Sequence, residues 1–361
     1  MIFYVALADA QRLIERFQST AGTITVAIVA NIKEALDYEE EYPEAALATE
    51  YFSEYEIRHI VNAFQEIGAY VKIYTGEDSF MRSVLDGEFG KLPRKNRMVY
   101  NSAQSGTGPG RKSLIPAFCQ LHGIPVCNSN PYVTGLARHK YHVASLLTAH
   151  GLPACPSWYY LGNGRWMLGR TPPEDVLLIA KAAYESASIG LTDDNVGRLS
   201  PVFLAALDHK IRILRQPVIV QRFIEGFEVE VPVFEHAGAQ PLGVVSITLD
   251  GQKDLGRRFL DFDVVNRDGY GFSASDHLEA DLRTRLARDA ASVFDLLEVS
   301  GVGRVDFRVT PDGAHYVTDV ATSPHLVQHS SFAWLFRSAG LPDSHALALL
   351  AAVNARRFGW I

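Results

Sequence analysis

Two aspartates near the C-terminal end of the chain have the spacing most suggestive of chemistry. Asp306 and Asp319 lie in two apolar segments, 305–309 and 315–320, which are separated by a short Pro-Asp-Gly turn. An antiparallel pair of strands joined by so short a turn can present both carboxylates on one side of the sheet. Paired carboxylates suit Mg²⁺ that bridges nucleotide phosphates. On spacing alone, a surface hairpin with solvated acids remains the alternative.

An arginine accompanies this pair of acids. Arg304 lies two residues before Asp306 in a predicted strand, so both side chains project to the same face. A guanidinium there could neutralise the charge that develops on a tetrahedral intermediate.

Two lysines and a loop of small residues are candidates for holding phosphates. Lys140 lies in a helical segment, and Lys181 ends an apolar strand that is followed by the small-residue loop 185–190. Ammonium groups neutralise phosphate as point charges, and small residues let backbone N–H groups approach it closely. Ser188 adds a hydroxyl donor. The alternatives are an exposed helix lysine at 140 and a strand-end lysine at 181 that buries only its stem.

The apolar pattern predicts the elements that must position these residues. In the first third it indicates strands at 23–30, 70–74, 97–101 and 124–127 and helices at 10–18, 56–68 and 113–122. This alternation predicts an open parallel sheet. Later segments predict helices at 135–150 and 279–297 and strands at 177–181, 217–223, 228–234, 242–249, 305–309 and 315–320. The composition of this later part indicates an α+β region.

Composition excludes several classes of function. The 361-residue chain is 47% hydrophobic and 21% charged, with a formal net charge of −7, so it has no basic field for nucleic acid. Its three cysteines have no metal-finger spacing, which favours a reducing compartment. No apolar run approaches the length of a membrane span. We therefore expect a cytoplasmic protein with no nucleic-acid or membrane partner.

Four segments in the same order resemble the D-alanine–D-alanine ligases of the ATP-grasp superfamily. They are the segment 301–330 with its Arg304-Val-Asp306 run, Lys140 eleven residues before Gly151, Lys181 with the loop after it, and the segment 220–228. The resemblance implies ATP as cofactor, with one or two Mg²⁺ ions on Asp306 and Asp319, and catalytic roles for Arg304, Ser188 and Ser330. It implies nucleotide contacts from Lys140, Lys181, Glu185, Ser188, Gln221, Arg222, Phe223, Ile224 and Glu228.

The first part of the chain resembles the same family more weakly. Residues 99–108 resemble a stretch that ends in a glycine-rich turn, and 53–57 resemble a helix start whose glutamate holds the substrate amino group. An acid at a helix N-terminus can also serve only to stabilise the helix dipole. The substrate-binding residues implied by the resemblance are Glu54, Glu56, His325, Ser330 and Ser331.

The sequence departs from the family pattern at several of these positions. Asp319 replaces a metal-binding glutamate, Ala321 an asparagine ligand, His325 a glycine and Gln221 an acid. Val265 stands where the family has a third lysine over the active site. The candidate cations to substitute for it are Lys253, Arg257, Arg258 and Arg267. Ala321 puts the second Mg²⁺ site in doubt.

The fold class implied is α/β plus α+β in a three-part ATP-grasp architecture. We expect an N-terminal α/β domain with an open parallel sheet at 1–131, a central lid at 132–216 and a catalytic domain at 217–361. The implied reaction joins a small-molecule carboxylate to an amine through an acylphosphate, on amino-acid-type substrates. A degenerate protein that binds nucleotide or a partner without ligation is the alternative. The resemblance leaves assembly as a homodimer open.

Overall fold

A computed structural model describes residues 2–35 and 46–361 of the chain. The first part contains α1 (Ile2–Gln18), β1 (Ile24–Ala30), α2 (Glu54–Glu66), β2 (Tyr70–Thr75), α3 (Glu77–Leu85), β3 (Asn96–Asn101) and α4 (Leu114–Leu121). The three strands form a parallel sheet in the order β2-β1-β3. Every residue of the central strand β1 is buried, because helices cover both faces of such a sheet. The predicted open parallel sheet is therefore confirmed.

The predicted strand at 124–127 is wrong. The segment makes an isolated parallel bridge between Val126 and Val99, with hydrogen bonds from Val99 N to Pro125 O and from Cys127 N to Val99 O, each 2.8 Å long. Pro125 has no N–H to donate, which limits further pairing.

The central part contains α5 (Pro131–Arg138), α6 (Lys140–Ala149), β4 (Ser157–Gly162), β5 (Arg165–Trp166), β6 (Leu178–Ala182), β7 (Val196–Gly197), α7 (Pro201–Leu214) and β8 (Val218–Arg222). Its five-stranded antiparallel sheet has the order β5-β4-β8-β6-β7.

The single helix predicted at 135–150 is wrong, because the chain breaks at His139. This residue has a non-helical backbone (φ −93°, ψ 83°), and its imidazole accepts a hydrogen bond from His142 N at 3.3 Å, which caps α6. Lys140 N donates to Ala183 O at 3.2 Å. The break therefore makes Lys140 the first residue of α6 and ties it to the chain just after β6.

The last part contains β9 (Phe227–Glu235), β10 (Ala239–Pro241), β11 (Val245–Leu249), α8 (Phe262–Asn266), β12 (Tyr270–Ala274), α9 (Ala280–Leu296), β13 (Val302–Val309), β14 (His315–Ala321), α10 (Ser331–Ser338) and α11 (His345–Arg357). Its strands run β12-β11-β9-β13-β14, with β10 on β9. The valines of β9 and β13 that point away from the site form a core with α9.

The C-terminal helix α11 returns to the first part of the chain. All of its residues from Ala346 to Ala355 are buried, and they share a hydrophobic cluster with α1, α2 and β1. The first and last parts therefore have one common core.

The predicted division into three parts stays a proposal, and we propose one change to it. Strand β8 pairs with β4 and β6 of the central sheet, although the predicted boundary at 217 assigns it to the catalytic domain. A boundary after Arg222 keeps the central sheet intact.

Candidate active site

A cleft of about 380 Å³ lies where the three parts of the chain meet. Its walls come from the end of β6 and the loop after it, the connection from β8 to β9, and one face of the β9-β13-β14 sheet. The predicted site residues that line it are Glu56, Lys140, Lys181, Glu185, Ser188, Gln221, Arg222, Phe223, Ile224, Glu228, Arg304, Asp306, Asp319 and His325. Glu54, Ser330 and Ser331 do not line it.

Three carboxylates lie side by side on the sheet face of this cleft. Asp306 of β13 is opposite Asp319 of β14 and opposite Glu230 of β9. Burial raises the pKa of Asp306. Burial also acts on Asp319, but the charges of Lys140, Lys181 and Arg304 together outweigh it and hold the pKa of Asp319 below its ordinary value. The hairpin acids are thus held in the cleft, which excludes the solvated surface hairpin.

Arg304 joins two of these acids. Its Nε and Nη2 donate to the two oxygens of Asp306 at 2.7 and 2.8 Å, and its Nη1 lies 3.3 Å from Glu230 Oε1. Burial raises the pKa of Glu230 to about 7. Glu230 was not among the predicted site residues, although its alternation with Glu228 among buried valines places both acids on one face of β9.

The two lysines enter the cleft from different elements. Lys140 Nζ donates to both oxygens of Asp319 at 2.9 Å, and its side chain is only 10% exposed. Lys181 is in β6, where burial lowers its pKa while Asp319 opposes that shift. Neither lysine is therefore a surface side chain.

The loop after β6 is held in place by buried charges. Ala187 and Ser188 both have φ of 52°, and Ser188 Oγ donates to Leu260 O at 2.6 Å. Glu185 accepts from Gln216 Nε2 at 2.8 Å and from Arg138 Nη2 at 3.3 Å, and it also accepts from Arg111. With both oxygens engaged, Glu185 is not available to a nucleotide. The predicted direct contact from Glu185 is thus corrected to a role in holding the loop.

The connection from β8 to β9 leaves a small set of free polar groups. Phe223 N donates to Leu177 O at 2.8 Å and Ile224 O accepts from Arg308 Nε at 2.9 Å. By contrast, the N–H of Ile224 donates to no described residue, and the buried Oε1 of Gln221 has no partner among them. These two groups, a donor and an acceptor, are what a planar heterocycle would need at this edge.

Comparisons with known proteins agree with this arrangement. The family described as D-ala D-ala ligase C-terminus matches residues 174–350. A D-alanine–D-alanine ligase of Geotalea uraniireducens is 26% identical over 237 residues, which are 64% of this chain and 71% of that protein. One from Nocardia farcinica is 27% identical over 239 residues, which are 65% of this chain and 64% of that protein. The chain thus spans about two thirds of the length of these relatives.

Solved structures give the same result for the fold. The D-alanine–D-alanine ligase of Bacillus anthracis complexed with ATP superposes with a TM-score of 0.67 at 15% identity, covering 92% of this chain and 98% of that one. Residues 174–350 thus match the D-alanine–D-alanine ligase family, and the chain has the fold of these ATP-grasp enzymes. Within the described residues, no helix of this ligase-like protein has the length and apolarity that crossing a bilayer requires.

The substrate end of the ligase-like site differs from the prediction at two residues. Glu54 is exposed and pairs with Arg58 at 3.2 Å, outside the cleft. Ser330 is buried and caps α10, since its Oγ accepts from Ala333 N at 3.2 Å and donates to Val327 O at 2.7 Å. Ser331 is buried in the first turn of α10. The predicted substrate contacts of the Glu54 and Ser330 side chains are therefore wrong for this structure, whereas Ser331 does not line the cleft and its contact stays a prediction.

Glu56 and His325 face each other at this end of the cleft. Glu56 Oε2 accepts from Ser53 N at 2.7 Å, which closes a capping box at the start of α2, and Glu56 Oε1 lies 3.4 Å from His325 Nε2. The His325 ring also lies 5.5 Å from the Phe52 ring. Burial lowers the pKa of His325 to about 4, so the ring is neutral at pH 7.

The cations predicted to replace the family's third lysine lie elsewhere. Each forms an ion pair outside the cleft, namely Lys253 with Asp276, Arg257 with Glu225, Arg258 with Asp250 and Arg267 with Asp263. Val265 does line the cleft. Lys112, which no prediction included, lines it as well; the basic pair Arg111-Lys112 after the glycine-rich turn was the available signal.

Proposed function

We propose that this protein is an ATP-dependent carboxylate–amine ligase that forms an amide bond through an acylphosphate, on amino-acid-type substrates. One observation carries the proposal: Lys140 and Lys181 face Arg304, Asp306 and Asp319 across a single cleft. Two ammonium groups suit the phosphates, the acids suit a metal ion, and the guanidinium suits an oxyanion. The names of the matched relatives, all D-alanine–D-alanine ligases, support the same class.

The adenine of ATP would lie at the connection from β8 to β9. The unpartnered Oε1 of Gln221 suits the exocyclic amine of adenine, and the free N–H of Ile224 suits a ring nitrogen. Glu228 would bind the ribose hydroxyls; Arg308, 3.2 Å from its Oε2, holds it in place. A buried acceptor without a partner costs about 1–3 kcal/mol, so ligand binding there is favoured.

The donor set fits magnesium. Asp306 and Asp319 offer carboxylate oxygens from adjacent strands, and Mg²⁺ commonly takes one or two protein carboxylates together with phosphate oxygens and water. Among the residues that the structure describes, no three His, Cys, Asp or Glu side chains are placed to hold one metal ion together. When bound, the metal would neutralise charge on the phosphates. We propose one Mg²⁺ held by this pair of acids.

The residues account for each step of the reaction. A substrate carboxylate oxygen attacks the terminal phosphorus of ATP, the bond to the bridging oxygen breaks, and ADP leaves. The amine, after losing its proton, then attacks the acyl carbon, and the tetrahedral adduct collapses with release of inorganic phosphate. Arg304 would stabilise the oxyanion of that adduct, and Lys140 and Lys181 would bind phosphate oxygens throughout.

The test is a product analysis. Incubation with ATP, Mg²⁺ and pooled L- and D-amino acids should release ADP and phosphate and give an amide product that mass spectrometry detects. Release of AMP and pyrophosphate would contradict the acylphosphate route. Nucleotide binding without turnover under any amino-acid pool would favour the binding-only alternative.

We propose two further properties. One is a cytoplasmic location, which the cysteine usage and the lack of a long apolar run favour. The other is assembly as a homodimer. Fractionation of cells and sedimentation of the purified protein would test them.

A further inference from the structure

Lys112 lies at the junction of two cavities. It follows Arg111 in a turn of 3-10 helix, Arg111–Ser113, just after the glycine-rich segment of the first part of the chain. Besides the main cleft, it lines a small adjoining cavity of about 40 Å³. That cavity is also lined by Lys140, Asp319 and Ala321. The Lys112 side chain therefore borders the ends of the predicted metal and phosphate sites.

The ammonium of Lys112 contacts no acid directly in the part of the chain that the structure describes, unlike the guanidinium groups of its neighbours, although Glu50 and Glu185 act on its charge from a distance. Arg111 and Arg138 are paired with Glu50 and Glu185, at 3.0 Å for Arg138 Nη2 to Glu50 and 3.3 Å for Arg138 Nη2 to Glu185. The Lys112 ammonium forms no hydrogen bond and no contact ion pair with any described residue, and only its backbone carbonyl is engaged, by Asn101 Nδ2 at 3.4 Å. Two acids thus face three cations, which leaves one positive charge unmatched beside the cleft. Burial, followed by the charge of Arg138, lowers the pKa of Lys112 to about 8, so most of it is still protonated at pH 7.

The same end of the cleft lacks ligands for a second metal ion. The side chain of Ala321, opposite Arg304 in the β13–β14 pair, has no ligating atom, and both oxygens of Asp319 accept from Lys140. Val265 of α8 lines the cleft but adds no charge. A terminal phosphate of ATP at this end would therefore require charge from another source, since phosphoryl transfer depends on electrostatic stabilisation.

We propose that the Lys112 ammonium takes the place of a second metal ion and binds the terminal phosphate of ATP on the side bounded by Ala321. The inference rests on the proposed function, because it needs ATP in the cleft. It predicts a site with one metal ion, in which the first part of the chain contributes a phosphate-binding cation. The unmatched charge of the buried cluster is then neutralised when nucleotide binds.

The first test measures binding rather than turnover. Calorimetry with a non-hydrolysable ATP analogue at fixed Mg²⁺ should give an affinity at least about tenfold weaker for Lys112→Met than for wild type, because a short-range charge contact is lost. Lys95→Met removes an exposed lysine from the same part of the chain and should bind like wild type. Lys112→Arg keeps the charge and should lose less than Lys112→Met. Equal affinities for Lys112→Met and Lys95→Met would overturn the proposal.

The second test counts metal ions. Electron paramagnetic resonance of Mn²⁺ with the same analogue should detect one tightly bound ion per chain in wild type. The double variant Lys112→Met/Ala321→Asn, which removes the ammonium and supplies a carbonyl ligand, should bind two. Two tightly bound ions in wild type would overturn the inference while leaving the ligase proposal intact. A wild-type protein that binds no nucleotide would overturn both.

Lys112→Met is expected to fold, because it removes a cation next to Arg111 and Arg138. Thermal unfolding should give a melting temperature no lower than that of wild type. A marked decrease would mean that Lys112 stabilises the fold, contrary to the unmatched charge inferred above, and would overturn the inference.

Discussion

Lys140 Nζ lies 2.9 Å from each carboxylate oxygen of Asp319, and Asp319 is directly opposite Asp306 on the neighbouring strand. The first residue of helix α6 and strand β14 are thus joined by one ion pair. When a metal ion and phosphates bind, the Lys140–Asp319 ion pair would have to break. Asp319 would then bind the metal ion and Lys140 would bind phosphate. The two residues are separated by 179 positions in sequence, so only the fold brings them together.

Asp306→Asn should lower Mg²⁺-dependent turnover by about a hundredfold or more, because a neutral amide is a poorer Mg²⁺ ligand than a carboxylate. The rate of ADP release as a function of Mg²⁺ concentration measures this. Asp312→Asn, in the exposed turn of the same hairpin, is the matched control and should retain wild-type rates. Wild-type activity in the Asp306 variant would mean that the hairpin acids bind no metal.

Arg304→Lys should reduce kcat by about 10²–10³-fold with little change in the KM for ATP. A lysine keeps one positive charge beside Asp306 and Glu230, but it cannot reproduce the two parallel hydrogen bonds at 2.7 and 2.8 Å. Steady-state kinetics with ATP varied at saturating amine separates the two parameters. An increase in the KM for ATP with kcat unchanged would instead assign Arg304 to nucleotide binding.

Glu50→Gln should lower the free energy of unfolding at pH 7 by an amount on the order of 2–3 kcal/mol. Although burial alone would raise it, the charges of Arg138, Lys112 and Arg111 lower the pKa of Glu50 from 4.5 to about 2. Because the folded-state pKa is depressed, this stabilisation is present above pH 4.5 and is lost as the pH falls towards 2.

Urea unfolding of wild type and Glu50→Gln from neutral to acidic pH measures this stabilisation. The difference between them should shrink as the pH falls below 4.5. Glu54→Gln, four residues along and exposed, should be indistinguishable from wild type at every pH. A pH-independent difference for Glu50→Gln would indicate a steric effect and contradict the charge argument.

His325→Gly should shift substrate preference towards bulkier amines. The ring lies between Glu56 and Phe52 at the substrate end of the cleft, so its removal enlarges that end without taking away charge at neutral pH. The ratio of kcat/KM for a larger to a smaller amine should rise by about tenfold, in the range typical of changes in pocket volume. An unchanged ratio with normal turnover would place the acceptor elsewhere in the cleft.

The elements of this protein and the order of its site residues were determined by local sequence. The apolar segments 305–309 and 315–320 predict the strands β13 and β14, and the continuous apolar run of β1 predicts a buried strand. The pairing of Asp306 with Asp319 followed from a short turn. Lys140, Lys181 and the β8–β9 connection could be recognised by their order along the chain.

The tertiary structure decided which of those side chains are free to act. Ser330 caps a helix and Glu185 is neutralised by Arg111, 74 positions away, so neither is available to a ligand. Conversely, Lys112 enters the cleft, and the four cations predicted near Val265 pair with acids elsewhere. Such outcomes depend on long-range packing, since a charge is neutralised by whichever group the fold brings within contact distance. Sequence spacing carries no information about that neighbour.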